Sequence, residues 1–382
     1  MNVYADHAAT TPLDARVLEA MLPFLRERFY NPSSLYAGGF TVRRAIEEAR
    51  ALIAAYFGCA AGELYFTSGG TESVNLAVLG AVRAAGRKGR IVIGATEHHA
   101  VSETARALEK EGFSVAVVLC NAQGLITPEA LEQSMDDRVV LVSVMWANNE
   151  TGIIQPVAQL CNITRRHGAL FHTDAVQALG SRRIRLDEIP VDLLSCSSHK
   201  IYGPKGCGLL FVRGNTQIAP IFHGGQQEKR LRGGTENPAA IIGFGKAVEL
   251  LEAEREDRRT LQKTIARHFL KRILDIPGIL YNSPQDSVIP GFVSLSIAGV
   301  ESEPLLFHLG MQGVDASMGA ACHSQVIEPS FVLRAMGVPE SHIRGSVRFS
   351  YGKDSTLDEA DHAAKALISV VGKLRKHIYE NG

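Results

Sequence analysis

From about residue 40 the chain alternates between two spacings of apolar residues. In "FTVRRAIEEARALIAAYFG" they recur every three to four positions, the spacing of one face of a helix, whereas "ELYFTS" is short and reads as a strand. The alternation continues. "TESVNLAVLGAVRAAG" predicts a helix, "RIVIGA" a strand, 99–111 a helix, "SVAVVLC" a strand, 127–135 a helix, "VVLVSVMWA" a strand and 156–167 a helix, followed by the strands "ALFHTDA" and "VDLLSCSS". Short apolar strands separated by helices predict a mostly parallel sheet covered on both faces. "GPKGCGLLFVR" then sets a Gly/Pro turn directly before a strand, which predicts an antiparallel addition to that sheet. A charged helical stretch, 239–276, predicts a helix or helix pair leaving the first unit, and "GFVSLSIAG", "EPLLFHLGMQG", "SVRFSYG" and the terminal "TLDEADHAAKALISVVGKLRKHIY" predict a small α+β unit beyond it.

A length of 382 residues fits two cores better than one. We place a large domain at 14–255 and a small one at 1–13 and 256–382. Forty basic residues balance forty acidic ones, so no net field recruits nucleic acid or an anionic membrane, and the expected partner is a small molecule. The six cysteines form no C-x-x-C pair and no disulfide framework, and no zinc spacing joins them to the histidines, so a metal is not expected. Reduced cysteines, the absence of a signal-like N-terminus and the absence of an apolar run of membrane-spanning length point to the cytoplasm.

Sheets of this kind bind ligands beyond the carboxyl ends of their strands, and several strand ends here are unusually polar. "FTSGGTES" offers Gly70 and Thr71 at a helix N-terminus, where free N–H groups suit a phosphate, although an ordinary strand–helix turn has the same look. "FHTDAVQALG" offers Asp174 and Gln177; "SCSSHKIYGPKG" offers Ser197, His199 and Lys200; "GATEHHAVSET" offers His98 and His99; "WANNETG" offers Asn148 and Asn149. Each has a bland alternative, as a helix cap, a turn residue or a solvated lysine. Together they supply a phosphate cradle, an acid, an imidazole able to stack on a ring and a lysine able to form a Schiff base, a set that suits pyridoxal 5'-phosphate.

These stretches, with "YADHAATTP", "NNETGIIQPV", "LRGGTENP", "EPSFVLRAMG" and "SVRFSYG" in the same order along the chain, resemble the cysteine desulfurases, in the class V group of fold-type I pyridoxal-phosphate enzymes. The resemblance implies a seven-stranded, mainly parallel sheet in the large domain. It implies that Lys200 is the Schiff-base lysine, that Asp174 partners the pyridinium nitrogen, that Gln177 bonds the phenolic oxygen, that His98 stacks on the ring and serves catalysis, and that Asn149 lies beside cofactor and substrate. Gly70, Thr71, Ser197 and His199 match phosphate-binding positions. Thr235, in "RGGTEN", matches a threonine that reaches the phosphate of the neighbouring subunit, which implies a homodimer, and Arg348 matches the arginine that grips the substrate carboxylate.

Cys322, in "GAACHS", matches the nucleophile. The implied activity converts L-cysteine to L-alanine, leaving a persulfide on Cys322 for an acceptor protein of unknown identity that serves iron–sulfur cluster or thio-cofactor assembly. A mobile catalytic loop is expected over 319–330. Ala320 and His323 depart from the usual desulfurase pattern and are similar to selenocysteine lyases, so L-selenocysteine stands as an alternative substrate. A class V aminotransferase leaves Cys322 without a task, and a scaffold protein has no use for Lys200, Asp174, His98 and Arg348 together.

Overall fold

The computed structural model describes residues 1–283, 287–318 and 329–381. In chain order the elements are β1 (Val3–Tyr4), α1 (Ala15–Arg26), α2 (Ala37–Phe57), β2 (Leu64–Thr67), α3 (Gly70–Ala84), β3 (Arg90–Gly94), α4 (His99–Lys110), β4 (Ser114–Val118), α5 (Pro128–Ser134), β5 (Val139–Ser143), α6 (Val157–Arg166), β6 (Leu170–Asp174), β7 (Leu193–Ser197) and β8 (Gly208–Val212). They continue with α7 (Pro238–Ile273), β9 (Ile279–Tyr281), β10 (Phe292–Ile297), α8 (Ser302–Met311), β11 (Val314–Asp315), α9 (Phe331–Ala335), α10 (Glu340–Ile343), β12 (Ser346–Ser350) and α11 (Leu357–Asn381).

Among the described residues the main sheet has seven strands in the order β2-β8-β7-β6-β5-β3-β4. All its pairings are parallel except those of β8, which runs antiparallel to both β2 and β7, as the Gly/Pro turn before it predicts. Strand β8 shows why the two faces are both covered. Leu209 and Phe211 join a core with residues of α2 and α7, while Leu210 and Val212 join the opposite core with residues of α3 and α4.

Two local departures from the sequence pattern have physical causes. The strand expected over 139–147 is regular only to Ser143. Val144 and Trp146 still donate to the carbonyls of His172 and Asp174, but the Asn148 side chain then accepts from the backbone N–H groups of Glu150 and Thr151, both at 2.9 Å, and turns the chain. Helix α1 lies ahead of the stretch in which the alternation becomes legible; the Asp14 carboxylate caps it by accepting from Arg16 N–H, and Pro23 sits inside it.

The charged stretch after residue 238 is a single helix of 36 residues, about 54 Å long at 1.5 Å per residue. Its first half buries Ile241, Phe244, Val248 and Leu251 against the main sheet, and its second half buries Ile265, Phe269 and Ile273 in another core. That second core also holds the antiparallel sheet β12-β10-β9 and helix α11, and receives Val3 and Ala5 from the N-terminus. Strand β1 pairs with β11, and the segment after it crosses from the second core to the edge of the first.

Candidate active site

The carboxyl ends of the main strands open into a cavity of about 570 Å³, within the usual range for a small-molecule site. Its lining includes Gly70, Thr71, His98, Asn149, Asp174, Gln177, Ser197, His199, Lys200 and Arg348. Ten of the residues singled out from the sequence are thus brought together. The chain reaches this rim from different strands because parallel strands all deliver their carboxyl ends to one edge.

Lys200 follows β7 and is half-buried. Its Nζ donates to the carbonyl oxygens of Ala8 and, at 2.9 Å, Ala9. Burial lowers its pKa to about 8, with the Arg348 charge pushing the same way and the Asp174 and Asp6 carboxylates opposing. Asp174, at the end of β6, is buried, and that burial pushes its carboxyl up to about 6; one oxygen accepts from Val176 N–H at 2.9 Å. Gln177 donates to the Ala8 carbonyl at 2.7 Å. His199 shares a hydrogen bond with the Thr10 hydroxyl at 3.0 Å, and burial, then the charges of Lys200 and Lys205, lower its pKa to about 4. His98 caps α4, its Nδ1 accepting from Ala100 N–H at 3.0 Å.

Helix α3 starts at Gly70, so its first-turn N–H groups face the cavity. Close approach explains the glycine: a Cβ at residue 70 would stand 2.8 Å from a methyl of Val176. Likewise a Cβ on Gly208 would stand 2.5 Å from the backbone carbon of Gly69. A helix N-terminus, Thr71, Ser197 and His199 form a donor set for a phosphate, and Asp174 is a buried acid awaiting a cationic partner. With Lys200 on the same lining, these residues fit pyridoxal phosphate.

Arg348, on β12, belongs to the second core's sheet yet is 3% exposed and reaches the cavity. Its guanidinium donates to the Asp6 carboxylate and to the Asn149 carbonyl, each at 2.5 Å, while its Nε has no hydrogen-bond partner among the described residues. Ser317, also on the lining, exchanges backbone hydrogen bonds with Arg348 at 3.1 and 2.6 Å.

One described residue proposed from sequence is not on this lining. Thr235 is exposed and outside the lining. It follows a segment in which Glu228, Lys229 and Arg230 all have positive φ (42°, 55° and 70°), a costly conformation for residues with side chains. The buried Arg50 holds that segment by donating to both carboxylate oxygens of Glu228 at 2.9 and 2.8 Å. Cys322, Ala320 and His323 lie outside the described residues, as does most of the stretch 319–330 for which mobility was expected.

Other participants carried no role in the sequence reading. Ala8 and Ala9 act through backbone carbonyls, which sequence does not mark. Asp6 stood in "YADHAATTP" without an assigned partner. Glu150, beside Asn149 in "NNETG", is buried; its carboxylate accepts from the Ser330 hydroxyl at 2.5 Å. Burial raises its pKa to about 7 against the opposing effects of Ser330 and Arg348. Glu97, next to His98, is pushed well above the carboxylate range by burial; one oxygen accepts from Met145 N–H at 2.6 Å and the other has no partner among the described residues. Among the described residues no group of three or more His, Cys, Asp or Glu is placed to hold a metal ion, and no helix is long and apolar enough to cross a membrane.

Comparison with known proteins gives the family. The aminotransferase class-V family model matches residues 3–362. A cysteine desulfurase IscS from Dictyoglomus turgidum is 45% identical over 379 residues, covering 98% of this chain and 95% of that protein. A cysteine desulfurase IscS from Methanosarcina thermophila is 43% identical, covering 98% and 93%. Among solved structures, a NifS-like protein superposes with a TM-score of 0.92 at 34% identity, covering 97% of this chain and 100% of that one. SspA in complex with cysteine does so at 0.82 and 33%, covering 93% and 100%. A likeness that spans nearly the whole length identifies the chain as a member of the aminotransferase class-V family, in its cysteine desulfurase branch.

Proposed function

We propose that this pyridoxal-phosphate-dependent cysteine desulfurase takes sulfur from L-cysteine, releases L-alanine and carries the sulfur as a persulfide on Cys322. The observation that carries the reading is one cavity holding a lysine with its pKa lowered to about 8, a buried acid, a helix N-terminus and a buried arginine. Bound there, pyridoxal phosphate supplies an aldehyde for the lysine amine and an electron sink for the substrate.

The protein's own groups divide the remaining work. Gly70, Thr71, Ser197 and His199 would hold the phosphate, Asp174 would favour a proton on the ring nitrogen, and Gln177 and His98 would position the ring. Arg348 takes the substrate carboxylate through the donors it now shares with Asp6 and Asn149. Lys200 would accept the Cα proton: burial lowers its pKa to about 8, so a minor but usable share of the amine is neutral near physiological pH, far more than for a solvated lysine. The Cys322 thiolate attacks the substrate sulfur; an S–S bond forms, the C–S bond breaks, and the electron pair of that bond stays with the carbon fragment that becomes alanine. Cys322 is four positions along the chain from Met318 on the cavity lining, a span of at most about 14 Å at full extension.

We place the division between the large and small domains near residue 255, within α7. A homodimer is supported by the exposure of Phe29, Leu35 and Tyr36 at 70%, 83% and 55% around the junction of α1 and α2, and by the exposed Thr235 on its braced segment. The persulfide then passes to an acceptor protein in the cytoplasm, a compartment that suits the unpaired Cys59, Cys120, Cys161, Cys196 and Cys207. "GAACHS", with Ala320 and His323, favours one second reading, release of selenium from L-selenocysteine.

Purified holoenzyme incubated with L-cysteine or L-selenocysteine under reducing conditions distinguishes these outcomes. Wild type forms alanine with sulfide, and Cys322→Ala does not. Equal turnover of cysteine by the variant sinks the persulfide mechanism, and consumption of selenocysteine alone selects the second reading.

A further inference from the structure

The sequence "EPSFVLRAMG" begins a few residues beyond Cys322, and its serine, Ser330, is eight residues downstream of that cysteine. Ser330 is 2% exposed and makes two hydrogen bonds of different kinds. As the N-cap of α9 its Oγ accepts from Leu333 N–H at 3.1 Å, and the same hydroxyl donates to Glu150 Oε2 at 2.5 Å. Helix α9 is short, with Val332, Leu333 and Met336 packed on Ile153 and Ile343, so few apolar contacts hold it against the larger core.

The other side of this bond is rigid. Glu150 is 5% exposed, its backbone N–H is held by the Asn148 side chain, and Asn148 is itself tied to the Thr96 carbonyl at 2.9 Å. Asn149, the preceding residue, lines the cavity and accepts from Arg348. One turn therefore presents the substrate arginine's backbone partner and, at the next residue, a carboxylate that receives Ser330.

We propose that Glu150, through Ser330, is a positioning residue that fixes the downstream end of the Cys322 segment beside the substrate-carboxylate site. The proposal rests on Cys322 being the nucleophile and adds a residue to that reading. Nucleophilic attack needs the sulfur atoms held in line at near-contact distance, so loss of the anchor lowers the rate of persulfide formation without touching cofactor or substrate binding. Because a glutamine oxygen still accepts a hydrogen bond from Ser330, the anchor depends on an acceptor at position 150 and not on its negative charge.

The test is single-turnover persulfide formation on holoenzyme, read by mass spectrometry of the peptide bearing Cys322, alongside KM for L-cysteine and the visible band of the lysine-bound cofactor. Ser330→Ala and Glu150→Ala each lower the persulfide rate by about tenfold to a hundredfold, with KM and the absorption band essentially unchanged. The double variant is no slower than either single one, because both remove the same bond. Glu150→Gln recovers most of the rate. A rise in KM matching the fall in rate, a lost cofactor band, additive effects in the double variant or unchanged rates in Ser330→Ala overturns the proposal. If Glu150→Ala fails to fold, Ser330→Ala with Glu150→Gln decides by the same criteria. Persulfide-independent turnover in a Cys322→Ala control overturns the nucleophile reading itself, whatever the anchor variants do.

Discussion

The cavity has two halves built by different means. On the side proposed for the cofactor, Asp174, Ser197, His199 and Lys200 all come from the ends of adjacent strands β6 and β7 or the residues just after them, and Gly70 opens α3 beside β2. On the side proposed for the substrate, Arg348 comes from β12 of the second core, Asp6 from the N-terminal segment, and Asn149 from the turn after β5. The first half is a property of one sheet. The second exists only while two cores and the chain's first residues stay docked. Electrostatics marks the same difference: the buried Asp174 and the half-buried Lys200 have pKa values displaced toward their neutral forms, whereas Arg348 meets a carboxylate and a carbonyl directly.

That contrast is testable by asking which half each variant damages. Lys200→Ala strikes the cofactor half hardest: turnover falls by at least about 10⁴-fold, and the visible band of the bound cofactor disappears from the absorption spectrum. An unchanged band would break the assignment of the lysine. Arg348→Ala strikes the other half, lowering kcat/KM by about 10²- to 10³-fold, mainly through KM, with the band retained. Steady-state kinetics beside the spectrum separates the two patterns.

Asp174→Asn sharpens the comparison through stability of the cofactor-free protein. Burial raises the folded-state pKa of Asp174 to about 6, above its unfolded value, so the native protein holds a proton that the unfolded chain releases first. Its contribution is full below about pH 4 and is lost as pH rises through 6, a penalty of about 3 kcal/mol at pH 8. Urea unfolding at pH 8 is therefore expected to show the asparagine variant as the more stable protein, with the difference vanishing near pH 4. Asp6→Asn gives the smallest effect, about a tenfold rise in KM with kcat little changed. A larger effect on the cofactor band than on KM would show that Asp6 belongs with Lys200, whose amine it also influences, and would erase the division.

The cofactor half was the more legible in sequence, for a physical reason. A strand end and the helix start that follows it are local, so "SHKIYGPKG" or "SGGTES" displays both the residue and the backbone geometry that aims it. Asp6 and Glu150 were present in quoted motifs but silent, because their partners Arg348 and Ser330 lie 342 and 180 residues away. Ala8 and Ala9 were illegible altogether, since they act on Lys200 through carbonyl groups that every residue possesses.

The sequence by itself determined the sheet's alternation of strand and helix, the antiparallel entry of β8 and the chemical types gathered at the strand ends, because these follow from periodicity and from short-range turn chemistry. Tertiary structure alone decided that the long charged stretch is one helix shared by two cores, that the N-terminal segment crosses to hold Lys200, and that Arg348 is delivered from the second core against Asp6 and Asn149. Contacts closed over hundreds of residues depend on how whole faces pack, and the residues at either end carry no local sign of the partner they will meet.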